Sequence, residues 1–376
     1  MNGIAAGFVT IFYPPNLPRL HADDSVCSEH WLKNNLNRLA LTFGRPIIGI
    51  HNETRGVIFD IIECLIQRNL SYATCDTRVC YRLVKEKLYD LAIKKVILIL
   101  HSQGAIEGGL VVDWILQELP QDLLSKLEVY TFGNAANHFH NPHRHVVSQQ
   151  LARVDPTSII ETLTTTTTTQ LPCVNDEATT GHDRTARPPS SRRVSVTSTT
   201  SVERHPTAQD RAILHVEHYA HMTDFTALWG VLHFATSSRA TRTVPRFVGR
   251  LFIRASNRGG HQFCQHYMDG MFPLSTDPET GRFVGAAEDN EFMERAVQIG
   301  EDGDASRIVR EAFDTSWSGR GFGMGHVAND VRVHDACAAS RPPAGVVVRV
   351  KEMSRLWQYR NGRIPEEAPM LPSLGQ

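Results

Sequence analysis

Paired cysteines are missing. The seven present (Cys27, Cys64, Cys75, Cys80, Cys173, Cys264, Cys337) are odd in number and widely spread, and none stands at a CxxC or zinc-ligand spacing. That gives no disulfide framework and no zinc ribbon, and it favours a reducing, cytoplasmic setting. Excess charge is missing too. The 39 Lys+Arg against 40 Asp+Glu leave a net charge of -1, with no electrostatic pull toward nucleic acid or an anionic membrane. No apolar run is long enough to span a bilayer. The start, MNGIAAGFVTIFYPP, lacks the basic segment and long apolar core of a secretory signal. P-loop, GxGxxG and HExxH patterns do not occur.

What remains is a chain of 376 residues, 41% hydrophobic, long enough for one large core with appendages. Residues 1–145 alternate between short apolar runs and helical patterns. After a short start at Met1–Ala5, Leu32, Leu36, Leu39 and Phe43 fall at helical spacing, and PIIGI (46–50) reads as a buried strand. Ile58, Ile61, Ile62 and Leu65 mark one face of a helix, with Asp60, Glu63 and Gln67 opposite. Val79, Leu83, Leu88 and Leu91 predict another helix, with Asp76 or Thr77 as its cap. VILIL (96–100) is the strongest strand, followed by an all-round apolar helix over 105–119 and a strand at LEVYTF (127–132). Strands alternating with helices predict parallel βαβ units, so the fold class is α/β, a mostly parallel sheet flanked by helices.

Composition shifts at 146–210, which holds the run Thr164–Thr169 and clusters of Ser, Pro and Arg. Such a segment buries too little apolar surface to offset its ordering entropy and is expected to be a disordered insertion. Within it, Arg192-Arg193-Val194-Ser195 has the spacing a basic-directed kinase accepts, a motif that also arises by chance in Ser/Arg-rich linkers. The α/β domain, begun at 1–145, is expected to resume at 211–274, with strands at ILHVEHY (213–219) and GRLFI (249–253). Residues 275–376 form a C-terminal extension. It is Gly- and Asp-rich and loop-like over 275–345, and it ends in a helix over 347–359.

The chemistry concentrates at VILILHSQG (96–104), a strand running straight into a helix with Ser102 at the bend. A nucleophile elbow needs this context, because the tight turn lifts the hydroxyl clear of the backbone. The pattern is GxSxG with Leu100 in place of the first glycine and Gly104 at the second. The helix N-terminus puts the Gln103 N–H where an oxyanion would develop. A helix N-cap is the competing role for Ser102. A serine nucleophile needs a base and an orienting acid, which this fold supplies in the order Ser, acid, His, each after a later strand. Asp224 and His261 sit at those places, with His266 as an alternative base. Helix capping is an equal candidate role for Asp224. Gly259 and Gly260 free the backbone to aim the His261 ring. His138, His140, His143 and His145 stand close together, but without a partnering cysteine or nearby carboxylate no metal site is expected. His215, His218 and His221 are expected to pack on or near a strand.

Several segments resemble uncharacterised fungal α/β-hydrolase-fold proteins related to the class-3 lipases. They are NGIA (2–5), HWLKNNLNRLALTFGRPIIGIHN (30–52), VILILHSQGAIEGG (96–109), LEVYTFGNAANHFHNPHR (127–144), DFTALWGVL (224–232), GGHQFCQHYMDGMFPL (259–274) and VKEMSRLWQYRNG (350–362). The resemblance implies an α/β-hydrolase-like fold and a Ser102–Asp224–His261 triad acting on a small-molecule ester or lipid, with no cofactor. It also implies that Gly3 or Ile4 supplies the second oxyanion N–H. Two departures stand out: Ala105 replaces a second glycine after the motif, and residues 6–29 interrupt a connection that is short in the relatives. The latter suggests retained intron sequence at 6–29, and also within 146–210. The sequence thus supports a serine esterase or lipase. Leu100 and the interrupted loop favour the alternative, a catalytically inactive hydrolase-fold protein serving as a binding or scaffold module.

Overall fold

The computed structural model describes residues 8–12, 30–51, 57–144, 149, 211–236, 247–256, 259–299, 330–335 and 348–366. The strand Val96–His101 explains the layering, because all six of its residues are buried. Alternation sends Val96, Leu98 and Leu100 into one apolar cluster and Ile97 and Ile99 into a second. A strand covered on both faces needs a layer on each side, which is the α/β arrangement.

In chain order the strands are β1 (Phe8–Phe12), β2 (Ile47–His51), β3 (Val96–His101), β4 (Leu127–Phe132), β5 (His215–His221), β6 (Arg250–Ala255), β7 (Leu274–Thr276), β8 (Phe283–Ala286), β9 (Gln298–Ile299) and β10 (Asp330–Asp335). Eight of them form one sheet in the order β2-β1-β3-β4-β5-β6-β10-β9. The central strands β3 to β6 are mutually parallel. β1 runs antiparallel to both its neighbours, and β10 runs antiparallel to β6. β7 and β8 form a separate hairpin.

The principal helices are α1 (His30–Phe43), α2 (Val57–Leu70), α3 (Cys75–Tyr89) and α4 (Gly104–Glu118). Cys80, Val84 and Leu88 of α3 and Ile106, Val111, Val112 and Ile115 of α4 fill the first cluster, against Leu98, Leu100 and Val129. On the opposite face, Leu32, Leu39 and Phe43 of α1 meet Ile97, Tyr130, Phe132 and Tyr219, together with Leu356, Trp357 and Tyr359 from the C-terminal region. Each fully buried aliphatic or aromatic side chain contributes about 1.5–3 kcal/mol.

Four expectations need correction. The stretch 6–29, read as an interruption, contributes β1, whose FVTIF sequence is rich in the β-branched and aromatic residues that suit a strand. The N-terminal strand expected at 1–5 lies outside the described residues. On α2 the apolar stripe faces outward: Phe59, Ile61, Ile62, Leu65, Ile66 and Leu70 are exposed, while Gln67 and Arg68 are buried. Polar partners waiting inside the molecule outweigh the periodicity there. α3 is capped by the Thr74 side chain, not by Asp76 or Thr77, and Leu91 lies beyond its end, exposed. The C-terminal extension is no mere appendage, since β10 joins the main sheet beside β6. Its last helix is split into Val350–Met353 and a 3-10 segment, Leu356–Gly362. The insertion 146–210, with Ser195, lies outside the described residues apart from Gln149. Among the described residues no helix is long and apolar enough to cross a membrane.

Candidate active site

β3 ends at His101 and α4 begins at Gly104, so the chain must turn sharply between them. Ser102 makes the turn with φ at 57°. A left-handed backbone at a non-glycine residue costs on the order of 1–2 kcal/mol. Three hydrogen bonds hold it. The Ser102 N–H donates to the Phe132 carbonyl at 3.1 Å, and the Ser102 carbonyl accepts from Ala105 N–H at 3.1 Å and Ala135 N–H at 3.3 Å. Leu100 is fully buried where the motif usually has glycine. Space for it comes from α4, because a Cβ on Gly108 would lie 2.4 Å from Leu100 Cδ1. The close approach of helix to strand is kept, with the glycine moved to the other partner.

The Ser102 hydroxyl does not cap α4. Its Oγ lies 2.8 Å from His261 Nε2. His261 Nδ1 in turn lies 2.9 Å from Asp224 Oδ1 and 3.1 Å from Oδ2. Asp224 is fully buried and receives two further bonds, from Tyr267 Oη at 2.6 Å and from Thr226 N–H at 2.8 Å. It therefore holds both roles weighed for it, capping the short helix Phe225–Trp229 while facing His261. Burial alone would raise its carboxyl, but the His261 charge and the bonds from His261 and Tyr267 bring it below the usual carboxylate value. It stays ionised.

Several residues that shape this arrangement escaped the sequence reading. Gly133 follows β4 at φ 54°, and a Cβ there would stand 2.6 Å from Asp224 Oδ2. The glycine directly after TF is the only signal for it. Tyr267 lies beside His266 on a π-helical turn, Phe263–Met268, a geometry that apolar periodicity does not announce. His101 stacks on His261 with ring centroids 4.8 Å apart, and its Nε2 is 2.9 Å from the His261 carbonyl oxygen. Burial, with the neighbouring His261 charge, pushes its pKa down to about 3, so it is a neutral ring and donates that bond.

Gln103 is buried at the start of α4, and its N–H has no acceptor among the described residues. Its side-chain amide donates to Gln67 Oε1 at 3.0 Å, and Gln67 donates onward to Glu107 Oε1 at 3.3 Å. Burial, reinforced by the Asp76 charge, pushes the Glu107 pKa up to about 8. Gly3 and Ile4 lie outside the described residues. His266 does not serve as the base in this geometry: its Nδ1 accepts the Gln262 N–H at 2.9 Å, away from Ser102. The β5 histidines pack as expected, with His218 Nδ1 2.8 Å from Thr131 Oγ1. One assumption about the other histidines fails, because His138 and His140 do have a nearby carboxylate, Asp113 of α4. His145 lies outside the described residues. No protein-family model, curated protein or solved structure matches the chain.

Proposed function

We propose that the chain is a serine hydrolase of the α/β-hydrolase type that cleaves a carboxylic ester of a lipid or other apolar acyl compound. The observation that carries this reading is the continuous hydrogen-bonded line from Ser102 Oγ through both ring nitrogens of His261 to a buried, ionised Asp224. The substrate class follows from the class-3 lipase resemblance.

His261 Nε2 takes the Ser102 hydroxyl proton as Oγ attacks the ester carbonyl. Asp224 holds the imidazole in the tautomer with its proton on Nδ1 and stabilises the imidazolium that forms. The developing oxyanion lies at the N-terminus of α4, within reach of the Gln103 N–H. His261 then returns its proton to the departing alkoxide, leaving an acyl-serine and a free alcohol. Water, deprotonated by the same His261, attacks the acyl-serine, releases the carboxylic acid and restores the Ser102 hydroxyl. No metal or organic cofactor enters these steps.

Leu100 was one of two features favouring a scaffold role, and the space left for it by Gly108 supports the hydrolase reading. A fluorescent fluorophosphonate decides between the two readings. Labelling of the folded protein that disappears in both Ser102→Ala and His261→Ala is the expected result. Folded protein that resists the probe overturns the hydrolase reading and leaves the scaffold role.

A further inference from the structure

Away from the triad, α4 carries Asp113 toward two histidines from the segment that follows β4. Asp113 Oδ2 is 3.0 Å from His138 Nε2, and Asp113 Oδ1 is 3.3 Å from His140 Nδ1. The ligand atoms of all three residues lie within 4.8 Å of one another. Asp113 stands nine residues into α4, about 14 Å along the helix axis at 1.5 Å per residue, so this group is remote from Ser102.

The hydrogen bonds around His138 fix its tautomer. Asn137 Nδ2 donates to the Arg68 carbonyl at 3.2 Å, which turns Asn137 Oδ1 toward the imidazole. His138 Nδ1 lies 2.6 Å from that Oδ1 and must be the donor there. With Nδ1 facing Asn137, Nε2 is the ring nitrogen turned to the Asp113 carboxylate, 3.0 Å away. The same pattern, one ring nitrogen anchored by a hydrogen bond and the other presented with a carboxylate, is how proteins orient histidine ligands.

We infer that Asp113, His138 and His140 form a binding site for a divalent transition-metal ion of the zinc class. Two imidazoles and one carboxylate suit borderline ions rather than magnesium or calcium, which prefer all-oxygen shells. Ligands about 2.1 Å from a tetrahedral ion stand about 3.4 Å from each other. The two carboxylate–imidazole separations, to the two oxygens of Asp113, are near that spacing, and side-chain rotation has to draw in a set now spread over 4.8 Å. The three residues leave a fourth position for water. With ligands on α4 and on the segment after β4, the ion ties that segment to the helix and keeps one position open to solvent.

The test is a titration of the full-length, chelator-treated protein with Zn2+, and with Co2+ as a coloured probe, beside Asp113→Asn and His140→Ala. The His140 side chain is 57% exposed, so its removal leaves the fold intact, as circular dichroism will verify. The wild type is expected to bind one ion with visible Co2+ bands of low coordination number. Each variant should lose that ion's affinity by tenfold or more, and His140→Cys should regain it through a thiolate. Equal binding by wild type and variants assigns the ion to adventitious histidines and overturns the site, as does absence of binding to the wild type.

Discussion

At the scale of single residues, the candidate site depends on one buried carboxylate held from several directions. Asp224 has no exposure to solvent, yet it accepts bonds from His261, Tyr267 and the Thr226 backbone. Tyr267 does more than fill space. Its hydroxyl fixes the oxygen of Asp224 that sits beside Gly133, and so fixes the direction from which the carboxylate meets the imidazole. A hydrogen bond to a charged group contributes about 1.5–3 kcal/mol, or roughly 10- to 100-fold in a rate that depends on it. Tyr267→Phe keeps the ring and its packing but takes a bond from a buried carboxylate, so the expected outcome is a lower melting temperature and, in protein still folded at the assay temperature, fluorophosphonate labelling slowed by about that factor. Unchanged labelling of the folded variant would instead make Tyr267 a packing residue. Ser102, Asp224 and His261 were legible in the sequence because each occupies a stereotyped place after a strand. Tyr267, Gly133 and His101 were not, since their parts are defined by contacts between segments far apart in the chain.

Elements show where periodicity is a sound guide and where it misleads. β3 and β4 are buried on both faces, and the runs VILIL and LEVYTF made them readable, β3 to within one residue and β4 at full length. α2 reversed the expectation. Its apolar stripe is exposed, and its polar side reaches Gln103 and Glu107 through Gln67. An amphipathic pattern shows that two faces differ but cannot say which faces the core when buried polar partners exist. β10 was missed for a related reason: DVRVHD alternates, but nothing local announces an edge position beside β6. The β3–α4 junction offers a test of packing between elements. Gly108→Ala would place a methyl within 2.4–3.0 Å of the Leu100 side chain. Overpacking of this kind typically costs about 1–3 kcal/mol. Leu100→Ala alone opens a cavity at a fully buried site and costs about 2–5 kcal/mol. In the double variant the new methyl occupies space that the leucine vacates. Denaturant titration should therefore give a loss smaller than the sum of the single losses, with a coupling of about 1 kcal/mol or more. Additive losses would mean that the two side chains do not share that space.

The whole molecule buries titratable groups on both sides of its sheet, and this sets how its stability responds to pH. On the face carrying α1, Glu217 accepts the Arg355 and Leu356 N–H groups and the Tyr219 hydroxyl, so the C-terminal segment is tied to the middle of the sheet. Arg355 also reaches Glu128 at 3.5 Å. On the other face Glu107 has its pKa raised to about 8 by burial, with the Asp76 charge adding to it. Burial acts in the opposite direction on histidines: His101 falls to about 3, and His215, His218 and His221 fall to about 4. Each group makes stability depend on pH wherever the folded and unfolded chains bind different numbers of protons, by about 1.4 kcal/mol per proton per pH unit. The histidines hold fewer protons folded than unfolded between their lowered values and the ordinary 6.5, so stability rises with pH across that window. Glu107 holds its proton folded and loses it unfolded between 4.5 and about 8, so its contribution falls as pH rises. Below 6.5 four histidines outweigh two raised carboxyls, Glu107 and Glu217, the latter also lifted by burial, and above 6.5 only the carboxyls act among these six. Stability should therefore peak near pH 6.5 and decline toward pH 8. Glu107→Gln keeps an amide of the same shape against Gln67 and has no proton to lose. In chemical denaturation measured from pH 5 to 9, that variant should keep the rise below pH 6.5 and flatten the decline above it. An unchanged decline in the variant would mean that Glu107 does not cause it and that the other burial-raised carboxyl, Glu217, does.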